Sequence, residues 1–131
     1  MQTETINGKV LETWTPEEVR AALEKGEIIL IDVRTPAEYM FESVEDALLA
    51  PLSHFSQKAL PAELGKHVVL YCGSGIRSRK AAEQCLASKF EKIAHLEGGF
   101  ANWKASGAPY LGTNMGTGAP ERMAQTPVAA A

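Results

Sequence analysis

Basic charge is in short supply in this chain. Its 131 residues carry 13 Lys and Arg against 16 Asp and Glu, a net charge of −3. Nucleic-acid binders need a basic surface, so that class of partner is set aside. Long apolar runs are missing as well, which removes a membrane-spanning role. The start, Met1-Gln2-Thr3-Glu4-Thr5-Ile6, has neither the basic opening nor the apolar core of a signal peptide, so the expected location is cytoplasmic. Only two cysteines occur, Cys72 and Cys85, with no C-x-x-C pair and no histidine at metal-ligand spacing. A structural zinc site is therefore not expected, and neither is any other metal or cofactor. A disulfide between the two is disfavoured, because Cys85 shares an apolar helical face with Ala81, Ala82 and Leu86 and reads as core.

What is present is the composition of one globular domain, 45% hydrophobic and 22% charged. Lys9 to Trp14 reads as a first strand. Thr15-Pro16-Glu17-Glu18 supplies an N-cap, a proline at the first helical position and a capping-box glutamate. The helix from Pro16 to Lys25 should bury Val19, Ala22 and Leu23, with Gly26 closing it in the left-handed conformation. Ile28 to Val33 is apolar nearly throughout, as a strand buried on both faces of a parallel sheet must be. Thr35-Pro36-Ala37-Glu38 repeats the capping pattern before a short helix. Further strands are expected at Ala47 to Leu52, Val68 to Tyr71 and Lys92 to Leu96. Helices are expected at Ser53 to Leu60, Ile76 to Phe90 and Phe100 to Ala105. This alternation predicts an α/β domain over residues 1–110, built on a central, mainly parallel five-stranded sheet with helices on both faces. Residues 111–131, rich in Gly, Ala, Thr and Pro, read as a C-terminal extension. Their composition leaves open whether they are free or run along the body.

The chemistry concentrates in Tyr71-Cys72-Gly73-Ser74-Gly75-Ile76-Arg77-Ser78. A thiol here stands at the carboxyl end of a buried strand and faces the first turn of a helix. Unpaired backbone N–H groups and the helix dipole favour an anion at that point, so Cys72 is expected to be an acidic, nucleophilic thiol. Asp32 and Arg34 suit a buried ion pair with a structural role, because buried charges need partners. Arg79 and Lys80 read as surface charge, and Trp103 as packing near the site. His54, His67 and His95 stand at no spacing that suggests a base for Cys72.

The loop from Cys72 to Arg77 resembles the active-site loop of rhodanese-family sulfurtransferases. Asp32-Val33-Arg34-Thr35-Pro36-Ala37-Glu38-Tyr39, Arg77-Ser78, Ala81-Ala82, Leu96-Glu97-Gly98-Gly99, Trp103 and Gly107-Ala108-Pro109 resemble the family's other segments in order and spacing. The resemblance covers roughly residues 8 to 110. It implies a rhodanese-like fold and transfer of a sulfane sulfur through a persulfide on catalytic Cys72. The donor implied is thiosulfate or a related small anion, and the acceptor a thiol or cyanide. Gly73, Ser74, Gly75, Ile76 and Arg77 are then the substrate-binding loop, their amides curled around the sulfur, with Gly73 and Gly75 permitting the curl. Arg77 would attract the anionic donor.

Two departures from the family pattern stand out. Glu42-Ser43-Val44-Glu45-Asp46-Ala47 replaces a stretch that in many relatives reads Gly-His-Ile-x-Gly-Ala, which puts the turn geometry in question. Lys89-Phe90 replaces Gly-Phe, which would cost about 1 kcal/mol if Lys89 had to be left-handed. A phosphatase is the nearest rival function, but its loop has five residues between cysteine and arginine, and here Gly73 to Ile76 make four. A non-enzymatic binding or sulfur-sensing module is the second rival.

Overall fold

The two most apolar stretches lie side by side at the centre of the molecule. The computed structural model describes residues 1–56, 60 and 65–123. Strands β1 (Gln2–Ile6), β2 (Lys9–Trp14), β3 (Ile28–Asp32), β4 (Leu48–Leu49), β5 (His67–Tyr71) and β6 (Lys92–Leu96) form one sheet in the order β1-β2-β6-β5-β3-β4. All neighbours run parallel except β1, which pairs antiparallel with β2 through a turn at Asn7-Gly8. The five parallel strands are those expected from sequence, and β1 is an added edge.

Helices α1 (Pro16–Glu24), α2 (Pro36–Phe41), α3 (Ile76–Leu86) and α4 (Gly99–Ala105) complete the body. Strand alternation sends Ile28, Leu30, Val69 and Tyr71 to one face, where they meet Val19 of α1 and Phe100 and Trp103 of α4. Ile31, Val68, Leu70 and Cys72 face the other way, against Ala81, Ala82, Cys85 and Leu86 of α3. Both Thr-Pro starts form the complete capping box, Thr15 with Glu18 and Thr35 with Glu38.

Several local expectations are corrected. Helix α3 stops at Leu86, short of Phe90, because Ser88 Oγ and the Ser88 N–H both donate to the Cys85 carbonyl and close the last turn. Lys89 keeps a negative φ, so it carries no left-handed strain. Leu52–His54 is a 3-10 turn; residues 57–59 of the helix expected from Ser53 to Leu60 lie outside the described residues. Beyond the body, β7 (Tyr110–Thr113) and β8 (Pro120–Met123) form an antiparallel hairpin, so residues 111–123 run along the domain; residues 124–131 lie outside the described residues. The hairpin is tied to the turn after α2 by a Ser43–Leu111 bridge, by Thr113 Oγ1 donating to the Phe41 carbonyl at 2.8 Å, and by an Arg122–Glu45 ion pair.

Candidate active site

Strand β5 ends at Tyr71, and the next residue, Cys72, sits with its side chain fully buried at the parallel-strand carboxyl end. The chain then folds back through Gly73-Ser74-Gly75 into α3. Gly75 is the N-cap at φ 108°, a conformation open to glycine, and its N–H donates to Cys72 Sγ at 3.0 Å. Burial pushes the thiol pKa up, but hydrogen bonds from the Ser78 amide and hydroxyl and from the Gly75 and Ser74 amides outweigh it, and the net shift is downward. The same burial without donors has the opposite result at Cys85, whose thiol is pushed up to about 12.

The loop residues divide by what they do. Gly73 is not left-handed; its missing side chain matters because a Cβ there would come within 3.2 Å of Arg77 Nη2. Ser74 contributes its amide, whereas Ile76 is largely exposed. Arg77 does not point freely to solvent. It makes a bidentate pair with Glu38 of α2, Nη1 to Oε1 at 2.7 Å and Nη2 to Oε2 at 3.0 Å, which holds the Glu38 carboxyl down at about 2. Glu38 therefore serves two ends at once, capping α2 and fixing Arg77.

Behind the loop, Asp32 and Arg34 form the expected buried pair, with Arg34 Nη2 and Nε donating to Oδ2 and Oδ1 at 2.8 and 3.0 Å. The guanidinium lies over the Phe100 ring, 4.6 Å from its centroid, and donates to the Glu42 carbonyl at 2.6 Å. Tyr71 Oη accepts from the Val44 N–H, and Tyr39 Oη donates to the Ala47 carbonyl. These bonds hold the Glu42–Ala47 turn, which contains no glycine; Asp46 occupies the left-handed region at φ 71°. Trp103 is buried and donates to the Pro109 carbonyl.

The Gly98-Gly99 break has a direct bearing on the site. It brings the start of α4 onto the loop, where the Phe100 N–H donates to the Cys72 carbonyl at 2.7 Å and the Ala101 N–H to the Gly73 carbonyl at 3.1 Å. A groove of about 290 Å³ adjoins Arg77, walled by Val33, Thr35, Pro51 and Leu52. Another cavity, between Lys66, Lys89 and Lys92, lies at the opposite ends of the strands.

Sequence spacing missed two residues. Ser78 Oγ lies 3.7 Å from Cys72 Sγ and 2.9 Å from His95 Nδ1. The signal lay in strand pairing: β6 neighbours β5, and His95 stands in register with Leu70, on the face that α3 covers. Among the described residues, no cluster of three or more His, Cys, Asp or Glu could hold a metal, and no helix is long and apolar enough to cross a membrane.

Comparison with known proteins agrees with this architecture. The rhodanese-like domain model matches residues 15–106. An uncharacterized protein of Synechocystis, slr1261, is 40% identical over 101 residues, covering 77% of this chain; the chain spans 56% of that protein's length. A protein of Allochromatium vinosum named as a sulfurtransferase is 31% identical over 85 residues, 65% of this chain and 79% of that one. Among solved structures, the rhodanese-like domain of Anabaena Alr3790 superposes with a TM-score of 0.66 at 21% identity, covering 94% of this chain and 92% of that one. A rhodanese-related protein of Thermoplasma volcanium gives the same TM-score at 24% identity, covering 76% and 96%. With its parallel sheet, its loop at the end of β5 and a family match across most of its length, the chain belongs to the rhodanese-like domain family.

Proposed function

We propose that the protein is a sulfurtransferase that carries a sulfane sulfur on Cys72, from thiosulfate or a related small anionic donor to a thiol or cyanide. The observation that supports this most is the Cys72 sulfur held by the Gly75 N–H at 3.0 Å at the start of α3, in a loop with four residues between Cys72 and Arg77. Relatives named as sulfurtransferases, including the thiosulfate sulfurtransferase GlpE of Coxiella burnetii at 35% identity over 86 residues, point the same way.

The thiolate attacks the outer sulfur of the donor. A bond forms between Cys72 Sγ and that sulfur, the donor's S–S bond breaks, and sulfite leaves with the electron pair. The amides of Ser74, Gly75 and Ser78 that hold Cys72 Sγ then stabilise the negative charge of the persulfide. An acceptor nucleophile attacks the outer sulfur, and the electron pair of the breaking S–S bond returns to Cys72. Sulfur moves between nucleophiles throughout, so neither a metal nor an organic cofactor has a step to perform. Arg77 lies beside the loop and meets the donor's negative charge, with Glu38 setting its position.

Steady-state thiocyanate production from thiosulfate and cyanide tests this. Wild type should turn over and Arg77→Ala should raise KM for thiosulfate with a smaller effect on kcat. Identical donor kinetics in the two would remove Arg77 from the donor site. Absence of turnover with thiosulfate, mercaptopyruvate and glutathione persulfide would leave a non-enzymatic module as the better account.

A further inference from the structure

The Cys72 thiol lies at the end of a buried run of polar side chains that can take up the proton it must lose. Cys72 and Ser78 are both 0% exposed, and His95, beyond them, is 7% exposed. The three form a line: Cys72 Sγ to Ser78 Oγ at 3.7 Å, Ser78 Oγ to His95 Nδ1 at 2.9 Å, then His95 Nε2 to Thr13 Oγ1 of β2 at 3.3 Å. With the ring proton on Nε2 and shared with Thr13, the Nδ1 lone pair is free to accept from the Ser78 hydroxyl. The Gly75 carbonyl competes for that hydroxyl at a longer 3.2 Å.

We propose that His95 is a positioning residue for the reacting thiol, taking up the Cys72 proton through Ser78. The S–H bond of Cys72 breaks as a bond from that hydrogen to Ser78 Oγ forms. The Ser78 O–H hydrogen passes to His95 Nδ1. No electrons are exchanged; the products are a thiolate accepting from the Ser78 hydroxyl and an imidazolium donating to it. This rests on the assignment of Cys72 as the sulfur carrier and adds the path by which it becomes a thiolate.

The surroundings suit a ring that is neutral at rest. Burial and the nearby Arg79 of α3 both lower the His95 pKa, while Glu4 of β1 opposes them. Arg79 and Glu4 are joined by a bidentate pair at 2.8 and 2.9 Å, so they act on the ring with opposite sign. Thr13 of β2 is neutral, and Leu70, the register partner on β5, is apolar. A new imidazolium would then have the thiolate as its close counter-charge, and the two titrations would be coupled.

The test is the rate of Cys72 alkylation by iodoacetamide, a neutral probe, from pH 4 to 10, with the modified peptide identified by mass. His95→Gln should raise the midpoint by about one pH unit, slowing alkylation about tenfold near neutrality. Ser78→Ala should do at least as much, and the double variant no more than Ser78→Ala alone, because the two groups act in series. A His95→Gln curve that overlays wild type would overturn the proposal, as would additive shifts in the double variant. Wild-type imidazole nitrogen NMR gives an answer that does not depend on any variant folding. Neutral His95 should carry its proton on Nε2 and its pKa should move when Cys72 is alkylated; a proton resident on Nδ1, or a pKa indifferent to Cys72, would refute the relay. Persulfide formation followed by mass keeps the two claims apart. Sulfur uptake with an unmoved His95→Gln curve ends the relay alone, and a moved curve without uptake from any donor ends the sulfur-carrier assignment alone.

Discussion

Gly99→Ala should damage the site from outside it, and Gly26→Ala supplies its control. Both glycines are left-handed, at φ 62° and 68°, so alanine at either costs about 1–2 kcal/mol of backbone strain. They differ in what the new methyl meets. At Gly26 nothing lies within 4 Å; at Gly99 the Cβ would land 2.5 Å from the Cys72 carbonyl oxygen and 2.6 Å from the Gly73 carbonyl carbon. Those are backbone atoms and cannot swing aside as a flexible side chain would. Forcing extra atoms into a packed site costs a further 1–3 kcal/mol or so. Gly99→Ala should therefore lose about 2–5 kcal/mol in urea unfolding and Gly26→Ala about 1–2 kcal/mol, with similar m-values. The relief available is for the start of α4 to lift away, which breaks the 2.7 Å bond from the Phe100 N–H to the Cys72 carbonyl. Cys72 alkylation should accordingly change in Gly99→Ala and match wild type in Gly26→Ala. Equal destabilisation of the two variants with unchanged Cys72 reactivity in both would refute the claim that the Gly98-Gly99 turn sets the loop.

Cys72→Ser should abolish sulfur uptake, whereas Cys85→Ser, on the buried face of α3, should leave it largely intact; thiocyanate assays on both check this. The Arg77–Glu38 pair makes a pH prediction. Because the folded Glu38 pKa is depressed to about 2, the pair's stabilisation is fully present above the ordinary glutamate pKa near 4.3 and is lost as pH falls toward 2. Both side chains are over a third exposed, so the effect is about 0.5–1 kcal/mol, and Glu38→Gln should flatten acid unfolding between pH 4.5 and 2 by that amount. Asp46→Gly should stabilise by about 0.5–1 kcal/mol by removing left-handed strain, read as a higher urea midpoint; a loss of stability would show that the Asp46 side chain earns its place by another contact.

The parts of the fold that could be read from sequence were those coded within a few residues. Thr15 with Glu18, Thr35 with Glu38, and Gly26 after α1 are local signals, and each appears as expected. The buried strands declared themselves because β3 and β5 lie in the middle of a parallel sheet and need apolar residues on both faces. Strand β1 did not, since Gln2-Thr3-Glu4-Thr5 is an exposed edge with no apolar alternation. The β7–β8 hairpin is held by backbone pairing with Ser43 and by Gly112 packed against Met123, contacts that composition does not encode. At the site, the place of Cys72 followed from the order strand, cysteine, glycine, helix. The Ser78–His95 contact did not, because it joins α3 to β6 across 17 positions and becomes visible only once strand order and register are known. Nor did sequence show that Arg77 is held by Glu38, 39 positions away on another helix.

The most direct test of sulfur carriage on Cys72 is the intact mass of the protein after thiosulfate, before and after cyanide, with thiocyanate measured alongside. One sulfur atom should be gained, mapped to Cys72, and released by cyanide as an equal amount of thiocyanate. A protein whose mass is unchanged by thiosulfate, mercaptopyruvate and glutathione persulfide, or one that takes up sulfur on Cys85 instead, would contradict the account.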